Sequence, residues 1–488
     1  MKKNIRLIII ICVIAAVLAG AVIVLLRTAP QDEEQEDTTA EEITTLLLYD
    51  KAPADLAKLT IENESGTYEV VRLGEGDSAV WTVMDIANLP LSGSVMTKLV
   101  ENSSSLTAQQ TVVEDPEDIS IYGLDAPAAT FTAEFSDSGN TVKKLFIGNI
   151  TPEETKRYVM LEGDPKVYTV FNTALNCFLE KKYALINKTV YSVQTAVDEN
   201  DTTDYTKINK LTVNRADLDY DIVIEYDTRL DDESSMVANS SSYVMSEPVF
   251  RDLNPETSSG ITDGIFGLTA SDLAVLNPNE DDLVLSGVSD PVAEVTAEIN
   301  GGGRLNFKIG NEFINEDGEK EGRYVWVDGI SIIYIFSESS LPWLTVKPLD
   351  IVTTMYTSTY VYDLDELNIT CDGRKMNFKI TGDSDDFAVT LNGESVDGDA
   401  FKNLYQFILR APSSELYFED TSAAPQLTVD IVTRDGEGDL IEFIPDGNRQ
   451  AVVRLNGRSE YRCQQSYVDR FIKNLELYEN GEEIVVNW

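Results

Sequence analysis

Histidine is absent from all 488 residues. Its absence removes Ser-His-Asp and Cys-His nucleophiles, the His-Glu-x-x-His zinc site and every histidine acid–base scheme together. Cysteine is nearly as scarce, with Cys12 near the start and Cys177, Cys371 and Cys463 far apart downstream. Three widely spaced thiols imply no disulfide framework. Cys177 and Cys371 have apolar neighbours that suit buried thiols, whereas Cys463, between Arg462 and Gln464, is left open. There is no Gly-x-x-x-x-Gly-Lys-Ser/Thr, so no P-loop nucleotide hydrolysis is expected. Basic residues are few: 38 Lys and Arg stand against 84 Asp and Glu.

The first 27 residues hold four of those bases and none of the acids, so the remainder carries a formal charge of −50. Such a surface repels phosphate backbones and anionic headgroups, which argues against nucleic acid. With 43% hydrophobic residues, 21 Tyr and 17 Phe, the chain is far from a disordered acidic tail.

One long apolar run is present, Leu7 to Leu26, with Lys2, Lys3 and Arg6 before it and Arg27 after it. Twenty helical residues rise about 30 Å, the thickness of a bilayer's hydrocarbon core. A cleavable signal has a shorter apolar stretch and a small-residue site at its end. Here Ala19-Gly20-Ala21 lies inside the run, and Cys12 follows three isoleucines instead of a lipoprotein box. The run therefore reads as an uncleaved transmembrane signal-anchor, residues 7–26, with a basic cytoplasmic tip, 1–6. Basic residues resist translocation, so the bulk of the chain is expected outside the cell membrane, extracellular, behind an acidic stalk, 27–45.

Self-similarity organises the rest of the chain. Gly123-Leu124-Asp125-Ala126-Pro127, Leu145-Phe146-Ile147-Gly148-Asn149, Arg157-Tyr158-Val159 and Val167-Tyr168-Thr169-Val170 recur as Gly287-Val288-Ser289-Asp290-Pro291, Phe307-Lys308-Ile309-Gly310-Asn311, Arg323-Tyr324-Val325 and Ile333-Tyr334-Ile335. Pro127 to Pro291, Gly148 to Gly310, Tyr158 to Tyr324 and Tyr168 to Tyr334 are offsets of 162 to 166 residues. A fainter third copy begins at Ala424-Pro425, and Pro445-Asp446-Gly447 stands where the Gly-Asn pair should be. Leu59-Thr60-Ile61, Leu211-Thr212-Val213 and Leu367-Asn368-Ile369 open three front halves with period-two strands. Helical stripes come next in the first and third copies: Val95, Met96, Leu99 and Val100, then Phe401, Leu404, Tyr405, Ile408 and Leu409. Second helices are read at Phe171 to Leu179 and Tyr467 to Leu475. The expected fold is α+β: an N-terminal transmembrane helix followed by tandem modules of antiparallel sheets packed on helices, at 46–197, 207–356 and 358–488. Trp81, on the strand before the first stripe, is expected in the core between sheet and helix.

The stretch from Trp81 through Tyr122-Gly123-Leu124-Asp125-Ala126-Pro127 to Ile147-Gly148-Asn149 and Tyr158-Val159 resembles the bacterial family called domain of unknown function 4340. Members are similar to proteins encoded beside ABC transporter permeases and to the auxiliary subunits of gliding-motility-type exporters. The resemblance implies an accessory role beside a transporter, with a permease as partner, and brings no catalytic residues.

Other motifs reduce to structure. Gly123 to Pro127 reads as a turn leading into a strand, and Gly148-Asn149 and Gly310-Asn311 as turns at strand ends. Ser94 and Lys98 lie four apart on a helix, but a solvated Lys98 accounts for the spacing. Asp198, Asn200, Asp201 and Asp204, then Asn279, Glu280, Asp281 and Asp282, then Asp383, Asp385 and Asp386 are oxygen-rich loops that calcium would favour. None has the Gly and Glu positions of an EF-hand, so solvated turns are expected. No catalytic, cofactor-binding or metal-ligating residue is singled out, and no cofactor is implied. The expected function is a membrane-anchored accessory or scaffold protein, not an enzyme. The alternative is a surface glycan hydrolase with two paired carboxylates about 5–10 Å apart.

Overall fold

A computed structural model describes residues 45–74, 79–231, 241–353, 355–419, 421–436 and 438–486. The apolar run at 7–26 and the stalk up to residue 44 lie outside the described residues. No helix among the described residues is long and apolar enough to cross a membrane. The chain divides into two compact units, Met1–Thr67 with Leu99–Leu179, and Tyr68–Lys98 with Glu180–Trp488.

Three large antiparallel sheets share one strand order. The first runs Val80–Val83, Gly66–Leu73, Leu56–Asn63, Ala129–Phe135, Val142–Ile150, Lys156–Leu161, Val167–Phe171, Gln110–Val113. The other two keep that order, each with one further edge strand, Arg251–Asp252 in the second and Glu394–Val396 in the third. With helices set among the sheets, this is the α+β class.

The shared order has a cause in the sequence. Each sheet is centred on a pair of strands with strict alternation, so that one face is buried. Ala129, Phe131, Ala133 and Phe135 point inward while Thr130, Thr132 and Glu134 do not. Their partners are in equivalent register, with Leu59 opposite Ala133, Leu211 opposite Ala297 and Leu367 opposite Ile431. All three pairs break register at the same place, between Leu56 and Lys58, Ile208 and Lys210, and Leu364 and Glu366. These central pairs join the front and rear halves of each repeat into one sheet.

Aromatic side chains fill the space between sheet and helix. Phe178, on the helix Asn172–Leu179, stacks on Phe131 at 4.2 Å. Phe407 and Phe471, from the helices Gly398–Leu409 and Gln465–Glu479, meet edge to face at 5.5 Å. In the second sheet Pro342 opens a short 3₁₀ turn, and Trp343 on that turn packs on Phe307 at 5.2 Å. Trp81 departs from its expected place. It is half-buried, and the buried positions of its strand are Thr82 and Val83. The four-residue strand is the edge of its sheet and becomes buried only at its second half, so Trp81, next to the exposed Val80, stays partly open.

Candidate functional site

Basic side chains are scarce, so where they are buried they mark the molecule's electrostatic centres. Arg229 follows the strand Ile222–Tyr226 and faces Asp227, which is 2% exposed. Its Nε and Nη2 each donate to the Asp227 carboxylate at 2.8 Å. Nη2 also reaches Asp252 Oδ1 at 2.5 Å. Asp227 first, then Asp252, push the Arg229 guanidinium pKa further up against the lowering effect of burial. A planar fork suits this bidentate grip better than an ammonium would.

Arg251, beside Asp252, points toward the third sheet. Its guanidinium lies 5.0 Å from the Tyr461 ring and 5.7 Å from Tyr356, and those two rings stack at 5.7 Å. Its Nη2 is 4.0 Å from Glu460 Oε2. Neither atom makes a hydrogen bond among the described residues. Burial raises the Glu460 carboxyl pKa, and the positive charges of Arg251 and Arg458 offset only part of that rise. Arg458 donates to the Pro248 carbonyl at 2.8 Å, and Thr357 donates to Asp439 at 2.6 Å. A cavity of about 110 Å³ is lined by Arg229, Arg251, Asp252, Tyr356, Thr357 and Asp439. That space suits a few waters bridging the separated charges and is well below the several hundred Å³ of a ligand pocket. Asp227 and Asp252 are both held by Arg229. The cluster locks strand ends together, which is chemically unlike an acid and a base waiting for a sugar.

The repeated glycine motif is a second centre. Gly123 has φ +68°, and a Cβ there would lie 2.4 Å from Asn149 Oδ1. Gly287 has φ +74° and would meet the Asn311 amide at 2.6 Å. A Cβ on Gly148 would sit 2.2 Å from the Tyr122 carbonyl, and one on Gly310 the same distance from the Ser286 carbonyl. Arg157 and Arg323 cap the crossing by donating to the Gly148 and Gly310 carbonyls at 3.0 and 3.2 Å. Gly148-Asn149 and Gly310-Asn311 are therefore not turns at strand ends. They lie inside the strands Val142–Ile150 and Gly303–Ile314, where register breaks after Ile147 and after Ile309. A strand bulge lets two backbones cross where no side chain fits. Residues 81–237 match the family model described as domain of unknown function (DUF4340). The DUF4340 segment takes in Gly123, Gly148, Asn149 and Arg157, while the second copy of the crossing, at Gly287, Gly310, Asn311 and Arg323, lies beyond it. No curated protein and no solved structure matches the chain.

Of the other motifs, Ser94 and Lys98 are exposed, and the Ser94 hydroxyl meets Ser92 at 3.2 Å. Asp201 accepts from the Tyr205 hydroxyl and from the Val197 and Thr203 amides. Asn279 and Asp282 form a capping box, and Asp386 accepts from the Asp383 amide. Among the described residues no group of three or more acidic or cysteine side chains is arranged to hold a metal. Among the described residues Cys177, Cys371 and Cys463 are all buried and none is in a disulfide, and burial pushes the Cys463 thiol up to about 12. Sequence reasoning missed Arg229, Arg251 and Glu460. The available signal was Asp227-Thr228-Arg229, an acid two residues before a rare base at a strand end.

Proposed function

We propose that this chain is a membrane-anchored extracytoplasmic accessory or scaffold protein, without catalytic activity of its own, that serves an ABC-type transporter. The observation that carries the reading is the run Leu7 to Leu26, basic before it and followed by a part of formal charge −50. The resemblance to DUF4340 proteins encoded beside permeases supplies the partner class. The missing histidine and the Arg229-bound carboxylates are consistent with a binding role. A permease is the partner expected at the membrane, and the acidic surface favours partners with basic faces.

The test is photo-crosslinking of the full chain in its native membrane, followed by identification of the captured proteins. Recovery of an ABC-type permease is the expected result. Capture of no transporter component, or release of reducing sugar from cell-wall glycan by the purified chain, would overturn the reading. Orientation is checked on intact cells: Thr38→Cys should react with an impermeant thiol reagent and Asn4→Cys should not.

A further inference from the structure

The three repeats differ in how the backbone just before their first helix is covered. In the first, Leu91 bridges Ile186, with the Ser92 amide donating to the Leu185 carbonyl and the Asn187 amide to the Pro90 carbonyl, both at 2.8 Å. In the second, Leu253 bridges Val352. There the Asn254 amide donates to the Ile351 carbonyl at 2.8 Å, and the Thr353 amide to the Asp252 carbonyl at 2.9 Å. The same stretch of backbone before the helix is thus covered twice, by an extended segment in the same register.

In the third repeat the corresponding residues are Ser395, Val396 and Asp397. Asn392-Gly393, both with positive φ, form a two-residue hairpin turn flanked by Leu391 and Glu394. In such a hairpin the flanking pair exchanges hydrogen bonds, so Ser395 and Asp397 direct their backbone groups outward, away from the sheet. Among the described residues nothing bonds to the Ser395 carbonyl or the Asp397 amide. A groove of about 820 Å³ opens beside them, with Tyr478 and Glu482 across from the edge. The Tyr478 hydroxyl in its lining is buried and has no hydrogen-bond partner. Glu394, Glu482 and Glu483 line it too, all exposed and none in an ion pair among the described residues.

We propose that this edge binds an extended, basic segment of a partner protein by strand addition. Main-chain hydrogen bonds to Ser395 and Asp397 supply the pairing, as the chain itself supplies it in the other two repeats. A β-branched aliphatic residue sits opposite Val396, in the position of Ile186 and Val352. Lys or Arg on either side answers Glu394, Glu482 and Glu483. The charge of the groove disfavours a second copy of this chain, whose net charge is −46. The proposal does not depend on which assembly the chain serves.

The probe is a fluorescent peptide in which Lys alternates with Ile, titrated by anisotropy into the full chain in detergent. Saturable binding is expected, with protection of the Asp397 amide from hydrogen exchange only when peptide is present. By analogy with Leu185 and Asn187, the residues flanking the aliphatic one face the edge. Methylating the Lys amides should therefore abolish binding, and methylating the Ile amides should spare it. Glu394→Lys with Glu482→Lys and Glu483→Lys should weaken binding by about tenfold or more while circular dichroism is unchanged. Binding that ignores which amides are methylated, or equal binding of a Glu-Ile peptide, overturns the proposal. So does an Asp397 amide already protected in the free chain: at all dilutions its own residues cover the edge, and only at high concentration a second copy does.

Discussion

Arg229 grips Asp227 through two hydrogen bonds of 2.8 Å and carries the same guanidinium on to Asp252. One cation thus neutralises two carboxylates that are 2% and 8% exposed. Removing it takes the shared cation from both. Arg229→Met is expected to cost about 3–5 kcal/mol, because an uncompensated buried charge is worse than a missing pair. Adding Asp227→Asn to that variant should recover part of the loss, since the second change removes a buried charge whose counter-charge the first took away. Calorimetry of the two variants decides it. A single variant within about 0.5 kcal/mol of the parent would mean that water already screens the site.

The glycine crossings make a sharper prediction. Gly310→Ala and Gly148→Ala drive a Cβ to 2.2 Å from a backbone carbonyl, and backbone cannot swing aside as a side-chain tip can. Each should destabilise by at least about 2 kcal/mol. Gly260 is the control. It lies in the helix Pro255–Thr262 with nothing within 4 Å of an added Cβ, so Gly260→Ala should stabilise by about 0.5–1 kcal/mol. Urea midpoints of the three variants measure the contrast.

Strand alternation in Leu59-Thr60-Ile61 and its two counterparts was readable because burial on one face writes a period of two into the sequence. The register break near Leu56, Ile208 and Leu364 was not, because a bulge inserts a residue without changing composition. Helix Pro255–Thr262 escaped the apolar-stripe criterion because Ser258 and Thr262 occupy buried positions on it. Its start was legible all the same, in Asn254 as cap and Pro255 in the first turn. The ionic cluster was out of reach for another reason. Arg229 and Asp252 are 23 residues apart, and in a chain this rich in acids such a spacing says nothing of which charges meet in space.

Glu460 gives a pH dependence. Its carboxyl is raised by burial, with Arg251 4.0 Å away offsetting only part. A carboxyl whose folded pKa exceeds its unfolded one binds the proton more tightly when folded. Its contribution is therefore most favourable at low pH and is lost as pH rises from the ordinary glutamate value, about 4.3, through the raised folded value. Glu460→Gln removes this loss. The variant should be more stable than the parent at pH 7, and the advantage should shrink as pH falls below about 5. Chemical denaturation across that range tests the sign. A variant less stable than the parent at pH 7 would show that the Arg251 pairing outweighs burial.

The two tryptophans separate position in the chain from position in the core. Trp343 is fully buried, lies on Phe307 and donates its indole N–H to the Ile261 carbonyl at 3.1 Å. Trp81, on a short strand near the rim, is half-buried. Trp343→Ala leaves a cavity and an unpaired carbonyl, so a loss of about 3–5 kcal/mol is expected. Trp343→Phe keeps most of the ring contact and gives up the hydrogen bond, so it should fall between that variant and the parent. Trp81→Ala loses only part of a side chain's burial and should cost about 1–2 kcal/mol. Far-UV circular dichroism in urea reads these losses without relying on the fluorescence that the substitutions remove. Equal costs at the two positions would mean that Trp81 is covered in solution and that the rim of the first sheet is part of a core.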